Sequence, residues 1–334
     1  MTIGMHRAAV CTALDGPKSV VTQDVADDLV GEGTVRVAVR AAGVNFPDYL
    51  LARGEYQLRL QPPFIPGMEV AGVVTETGPP VPGSRPWPVG APVIAVTRLG
   101  GFAEEIVVPF DAVFALPTTF SYAEGATFLV AAHTAYHALV DRAGLCAEET
   151  VVVLGATGGV GYAAVQLAKV LGAKVVAVGS DDTKLAAVSA AGADHVVNYR
   201  RADVVESLRS LTDGVDVVFD VVGGDAAQQA VRLLAWGGRY LVVGFASGSI
   251  PSFKANRMLL KSSSVIGVRA GEAARLDPSG FHHSITTLLT LAAEGKLRPH
   301  VSHRFPLDEA AAALATLAER RVTGRVVITN GEQL

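Results

Sequence analysis

One stretch limits what this chain can fold into more than any other: residues 150–179, TVVVLGATGGVGYAAVQLAKVLGAKVVAVG. It opens with an apolar run over 151–154, the right length for a buried strand. The turn Gly155, Ala156, Thr157, Gly158, Gly159, Val160, Gly161 follows at once. Apolar residues then recur at helical spacing over 162–171, and a second apolar run fills 174–178. This is a strand–turn–helix–strand unit of a parallel sheet, whose strands are apolar on both sides because helices cover both faces. Glycines let the chain turn sharply and bring backbone N–H groups at a helix N-terminus up to a pyrophosphate. The spelling departs from GxGxxG after its first glycine. No Gly-Lys-Ser or Gly-Lys-Thr follows, so a Walker-type phosphate loop is not supported.

More units of the same kind follow. Helical patterns over 182–191, 203–210 and 226–234 alternate with apolar runs at 195–197, 215–222, 238–244 and 264–268. Such alternation predicts a doubly wound parallel sheet. Upstream the texture is different. Residues 6–12, 34–40, 68–74, 91–96 and 102–108 read as short strands, separated by Gly/Pro turns such as GPPVPGSRPWPVG at 78–90. A compact β-rich domain is expected through about residue 120. Residues 41–60 read as an irregular polar and aromatic loop. Residues 122–143 read as largely helical, with Ser121 and Glu124 as a capping box. Helical patterns at 281–295 and 307–318 and a last strand at 325–329 complete the chain, and this tail is expected to pack on the first domain.

At 334 residues the chain is long enough for two cores. A net charge of -4 without basic blocks argues against nucleic acid as the main partner. No apolar run is long enough to span a membrane, and the first ten residues do not read as a secretory signal. Cys11 and Cys146 make neither a disulfide framework nor a four-thiolate zinc site. A reduced, cytoplasmic location is the expectation.

Several segments together resemble one family: 41–56 (AAGVNFPDYLLARGEY), 62–74 (PPFIPGMEVAGVV), 131–139 (AAHTAYHAL), 155–161 (GATGGVG), 192–200 (GADHVVNYR) and 323–328 (TGRVVI). Over essentially its whole length the chain resembles the zinc-independent medium-chain dehydrogenases/reductases of the quinone oxidoreductase type, the group that includes zeta-crystallin. The resemblance implies an α/β protein with a GroES-like, β-rich catalytic domain from both chain ends, here 1–125 and 268–334. It implies a Rossmann doubly wound nucleotide-binding domain between them, 126–267. It also implies a homodimer and NADPH-dependent reduction of quinones or activated enones. Zinc-bearing relatives carry Gly-His-Glu where this chain has Gly67-Met68-Glu69, and a thioether cannot replace the imidazole ligand. His133, His137, His282 and His283 show no convergent third ligand in the sequence. No metal is expected, and the hydride chemistry leans on the cofactor.

The second strand of the nucleotide unit ends Gly179-Ser180, without the acid that an NAD-selective fold sets against the ribose 2′-hydroxyl. Ser180 and Lys184 suit a 2′-phosphate instead, and the resemblance gives Lys184 and Tyr199 that role. Asp181 or Asp182 would favour NAD if either faced the ribose. Near the nicotinamide the resemblance points to Asn45, Thr134, Gly244, Phe245 and Asn256. Asn45 and Thr134 have groups that could orient the amide or a substrate carbonyl, or could tie down a loop or helix. Tyr49 and Tyr56 offer a ring face and a hydroxyl, and Tyr56 matches the proton donor of enoyl-thioester reductases. Two alternatives remain open: an enoyl-thioester reductase, and a nucleotide-binding structural or RNA-interacting protein with little turnover.

Overall fold

A computed structural model describes residues 4–84 and 86–331; Arg85, inside the expected 78–90 loop, and the extreme terminal residues lie outside them. The chain divides into two compact units, residues 1–130 with 300–334, and residues 131–299. The second reaches past 268, so residues 268–299, assigned to the first domain from the sequence, belong with the nucleotide unit.

The first unit begins with the strands β1 (Met5–Cys11), β2 (Val20–Ala26), β3 (Thr34–Val44), β4 (Glu69–Thr77), β5 (Pro92–Val96), β6 (Glu105–Pro109) and β7 (Val113–Ala115). The second contributes β8 (Thr150–Leu154), β9 (Lys174–Gly179), β10 (His195–Asn198), β11 (Val215–Asp220), β12 (Leu234–Val242) and β13 (Ser264–Gly267). The chain then returns to the first unit with β14 (Val301–Pro306) and β15 (Arg325–Thr329). There the main sheet runs β14-β15-β3-β4-β5-β7, with β6 also on β3. β15 lies antiparallel to β3 and parallel to β14, which the helix Ala310–Ala318 connects to it. The sequence reading gave no strand at 301–306, where partly covered residues and Pro306 mark a sheet edge. Valines of β3, β4 and β5 face Phe102, Ile106 and the Ala310–Ala318 helix in one apolar core.

Residues 41–52 differ most from expectation. β3 continues through Val44, and a helix, Phe46–Ala52, follows at once. Asn45 is its N-cap residue, Pro47 sits in its first turn, and Asp48 Oδ2 accepts from Asn45 N at 2.8 Å. Asn-x-x-Asp with an early proline is a helix start. The helical stretch at 122–143 begins with the expected box, Ser121 Oγ accepting from Glu124 N and Glu124 from Ser121 N. It breaks after Gly125 and resumes at Leu129.

In the second unit the six strands are all parallel, in the order β10-β9-β8-β11-β12-β13. Val151, Val152 and Val153 of β8 are fully buried, as a central strand covered on both faces requires. The order reverses at β8: the chain steps to β9 on one side, then crosses to β11 on the other. The carboxyl end of β8 is therefore the switch point of the sheet, where such folds bind ligands. Among the described residues no helix is long and apolar enough to cross a membrane.

Candidate functional site: a dinucleotide cradle and a buried polar cluster

The turn after β8 leads into the helix Gly159–Val170. Gly155 has φ +75°, and Gly158 N closes the turn on Gly155 O at 3.1 Å. A Cβ on Gly161 would lie 2.3 Å from Gly155 O and 2.9 Å from Ala156 Cα, so strand and helix meet too closely there for a side chain. Gly158 caps the helix without a side-chain bond, and the first turn holds no acid. The positive end of a twelve-residue dipole is left for an anion. These features fit a dinucleotide pyrophosphate.

The adjoining edge is set by β9 and β10, with Asn198 beside Gly179. Ser180 follows β9, and the helix Asp182–Ala190 starts two residues later. Neither nearby acid is loose. Asp181 caps that helix, Oδ1 accepting from Lys184 N at 3.0 Å. Asp182 accepts from Asn198 Nδ2 and pairs with Arg201 at 2.8 Å. Tyr199 is half-exposed, and its N–H donates to Gly179 O at 3.0 Å. Burial holds the Lys184 ammonium below its ordinary value; Asp181 opposes this and Arg200 adds to it. Ser180, Lys184 and Tyr199 thus meet at one sheet edge, and Arg200, which the sequence reading did not single out, joins them.

Across the switch point β11 ends in Asp220. This carboxylate accepts from Val222 N and Gly223 N and from the hydroxyl of fully buried Tyr240. Burial first, then the Asp220 charge, pushes the Tyr240 phenol far up, so it stays a donor. The strap containing Gly244 and Phe245 runs along this loop: Ala246 N and Ser247 N donate to Val221 O and Val222 O. Gly244 and Phe245 are thereby fixed. Asn256 is exposed on the helix Ala255–Lys261, and Thr134 is half-buried. The sequence reading did not include the Asp220–Tyr240 brace, whose partners lie twenty residues apart on neighbouring strands.

The first unit holds a different cluster. Asn45, Asp48, Glu69 and Arg325 are all buried. The Asn45 amide donates to Gly43 O at 3.3 Å and Glu69 Oε1 at 3.1 Å, and its carbonyl accepts from Arg325 Nη2 at 2.9 Å. Arg325 Nη2 also pairs with Glu69 Oε1, and Glu69 Oε2 accepts from Val130 N at 2.9 Å. Asp48 Oδ1 accepts from Gly67 N at 2.9 Å. Burial pushes Asp48 up to about 7 despite two backbone donors, and pushes Glu69 up against the pull of Arg325. One guanidinium faces two buried carboxylates, so only one of them is charge-balanced. Asn45 thus shows the loop-tying geometry among its open roles, both ends of its amide being engaged within this unit. Tyr49, one turn along the helix, is half-buried, its hydroxyl accepting from Arg53 Nη1 at 3.3 Å. Tyr56 is half-buried as well.

Among the described residues, one group of three His, Cys, Asp or Glu side chains brings its possible ligand atoms together: His6, Asp27 and Glu105. There His6 bonds Asp27 at 2.8 Å and Glu105 pairs with Arg36 at 3.2 Å. His133 packs edge-on against Phe281, and burial lowers its imidazole to about 4, which keeps it neutral.

Comparison with known proteins agrees with this architecture. A family model described as a zinc-binding dehydrogenase matches residues 159–292, and one described as an alcohol dehydrogenase GroES-like domain matches residues 31–118. Quinone oxidoreductase-like protein 2 of Bos taurus is 38% identical, over 97% of this chain and 92% of its own. A probable oxidoreductase from Mycobacterium abscessus superimposes with a TM-score of 0.88 at 40% identity, covering 98% of this chain and 99% of that one. The quinone oxidoreductase of Thermus thermophilus, solved also with NADPH, gives 0.82 at 35% identity over 97% and 100%. An α/β chain with a GroES-like domain and a Rossmann-like nucleotide-binding domain, and with methionine at the position of the metal-binding histidine, belongs to the zinc-independent quinone oxidoreductase family of medium-chain dehydrogenases/reductases.

Proposed function

We propose that this protein is an NADPH-dependent reductase that delivers hydride to quinones or activated enones without zinc. One observation carries the reading: a glycine turn at the switch point opens onto an edge bearing Lys184 and Tyr199, with both neighbouring acids tied off. An acid free to bond a ribose diol would favour NADH; a lysine there favours a 2′-phosphate. The N–H groups of the 155–161 turn would hold the pyrophosphate, and Ser180, Lys184 and Tyr199 the adenosine end. Gly244 and Phe245, with Thr134 and Asn256, would bound the nicotinamide. When bound, the cofactor supplies the hydride.

The protein's own groups would do the rest. Tyr49 and Tyr56 offer aromatic faces to a planar acceptor. Asn45 acts from behind, fixing the helix that carries Tyr49. Reduced quinone oxygens are weakly basic and take protons from water; an enolate would need a positioned acid. A homodimer fits β13, an open sheet edge beside exposed Leu259, Leu260 and Val265. The test is NADPH oxidation with a benzoquinone, compared with NADH under the same conditions. Tight NADPH binding without turnover over a panel of quinones and enones would refute the enzymatic reading. Equal kcat/KM for the two cofactors would refute the preference.

A further inference from the structure

The edge around Lys184 contains more than a lysine and a tyrosine. Asn198, the last residue of β10, bridges two segments. Its amide donates to Asp182 Oδ1, and its carbonyl oxygen accepts from Arg200 N at 3.0 Å. Arg201, the next residue, takes the other oxygen of Asp182 at 2.8 Å. Tyr199 N, bonded to Gly179 O, fixes the same turn against the end of β9. Residues 198–201 are therefore laced to residues 179–182. Two neighbouring arginines have different circumstances: Arg201 has a carboxylate, whereas Arg200 is exposed beside Lys184.

We propose that Arg200 is a second cationic contact for the adenosine 2′-phosphate, and that Asn198 is the residue that positions it while holding Asp182 away from the ribose. The proposal rests on the NADPH reading above and names the residues that set that preference. Two like charges side by side on one edge repel; a dianionic phosphate between them removes the repulsion and gains two charge-assisted contacts. Guanidinium and ammonium divide the work by shape, a planar fork on two oxygens and a point donor on the third. The Arg200 charge helps to hold the Lys184 ammonium below its ordinary value, in keeping with this nearness. Asn198 would act through others. Without it, Arg200 loses its backbone tether and Asp182 loses a donor, so the edge turns more acidic at the ribose.

Calorimetric titration of the whole protein with adenosine 2′,5′-bisphosphate and with 5′-AMP tests this directly. Arg200→Ala is expected to weaken the bisphosphate roughly tenfold or more and leave 5′-AMP within about twofold, with Arg200→Lys in between. Asn198→Ala is expected to weaken the bisphosphate and also to raise kcat/KM for NADH relative to NADPH, a change that mere loosening of the fold would not produce. If Lys184→Ala weakens the bisphosphate but Arg200→Ala does not, the site has one cation and the proposal fails while the NADPH reading stands. If the wild-type protein binds both nucleotides equally, both fail. If Asn198→Ala leaves the cofactor ratio unchanged, its positioning role is overturned. Unchanged melting temperatures would confirm that these surface variants are folded.

Discussion

Removing Arg325 tests the buried cluster of the first unit. In Arg325→Met the apolar stem is nearly replaced, and the lost group is the guanidinium facing Glu69 and Asn45. Glu69 is fully buried and keeps two donors, Val130 N and Asn45 Nδ2. Breaking a buried pair from one side typically costs about 3–5 kcal/mol, because the surviving charge is stranded. Arg325 Nε has no partner among the described residues, so the native guanidinium is itself incompletely compensated. The lower half of that range, ~3–4 kcal/mol, is expected. For a unit of this size about 1 kcal/mol moves Tm by roughly 2–4 °C, giving a fall of roughly 6–16 °C. The dependence on pH carries the sharper signature. Loss of Arg325 raises the Glu69 carboxyl further above its unfolded value, so folding takes up a proton. Stability is then retained below the unfolded pKa and lost as pH rises through the folded one. The deficit of Arg325→Met should therefore be smaller near pH 5 than near pH 8, measured as Tm against wild type. Glu69→Gln/Arg325→Met should recover part of the loss at pH 8. A Tm drop under about 2 °C, or a deficit that does not change with pH, would refute the argument that Glu69 is a stranded charge.

Three further outcomes are expected. Lys184→Ala should raise KM for NADPH roughly ten- to hundredfold with little effect on NADH, since a charge-assisted contact to phosphate is worth about 1.5–3 kcal/mol; equal effects in steady-state kinetics would contradict its assignment. Gly161→Ala should disrupt the turn and cut cofactor affinity in a fluorescence titration, because the new methyl meets backbone at 2.3 Å, whereas Gly158→Ala, with 3.6 Å to its nearest neighbour, should leave the Tm of the cofactor-free protein nearly unchanged. Tyr49→Phe and Tyr56→Phe should each lose little kcat/KM with a benzoquinone, and one of them more with a simple enone, where a positioned acid is typically worth about 10²–10⁴; a hundredfold loss on the quinone would make that hydroxyl essential.

The nucleotide unit was legible because its signals are local. Unbroken valine runs mark central parallel strands, and the glycines of 155–161 must stand where strand meets helix, as the Gly161–Gly155 approach illustrates. The capping box at Ser121 was legible for the same reason. The box at Asn45 and Asp48 carried an equivalent signal, hidden by the aromatic residues around it. What no local pattern could show is which partner a polar residue finds across the chain. Glu69 and Arg325 stand 256 positions apart yet meet in the core. The amide of Asn45 is engaged by both of them, which its neighbours in sequence do not foretell. Asp182 was open to either cofactor until Asn198, sixteen residues on, was seen to hold it.

The placement of β15 has a consequence during synthesis. This strand is interior to the first sheet, between β14 and β3, and it carries the cation that answers Glu69. A ribosome completes residues 1–130 long before it reaches Arg325. At about 5–20 residues per second the interval is on the order of 10–40 s. Until then residues 41–44 of β3 lack their partner strand, β6 covering only 34–38 on that side, and Glu69 lacks its counter-charge. The nucleotide unit, continuous in sequence, can meanwhile close. The nascent amino-terminal strands are thus the part of this chain that a chaperone has most reason to hold.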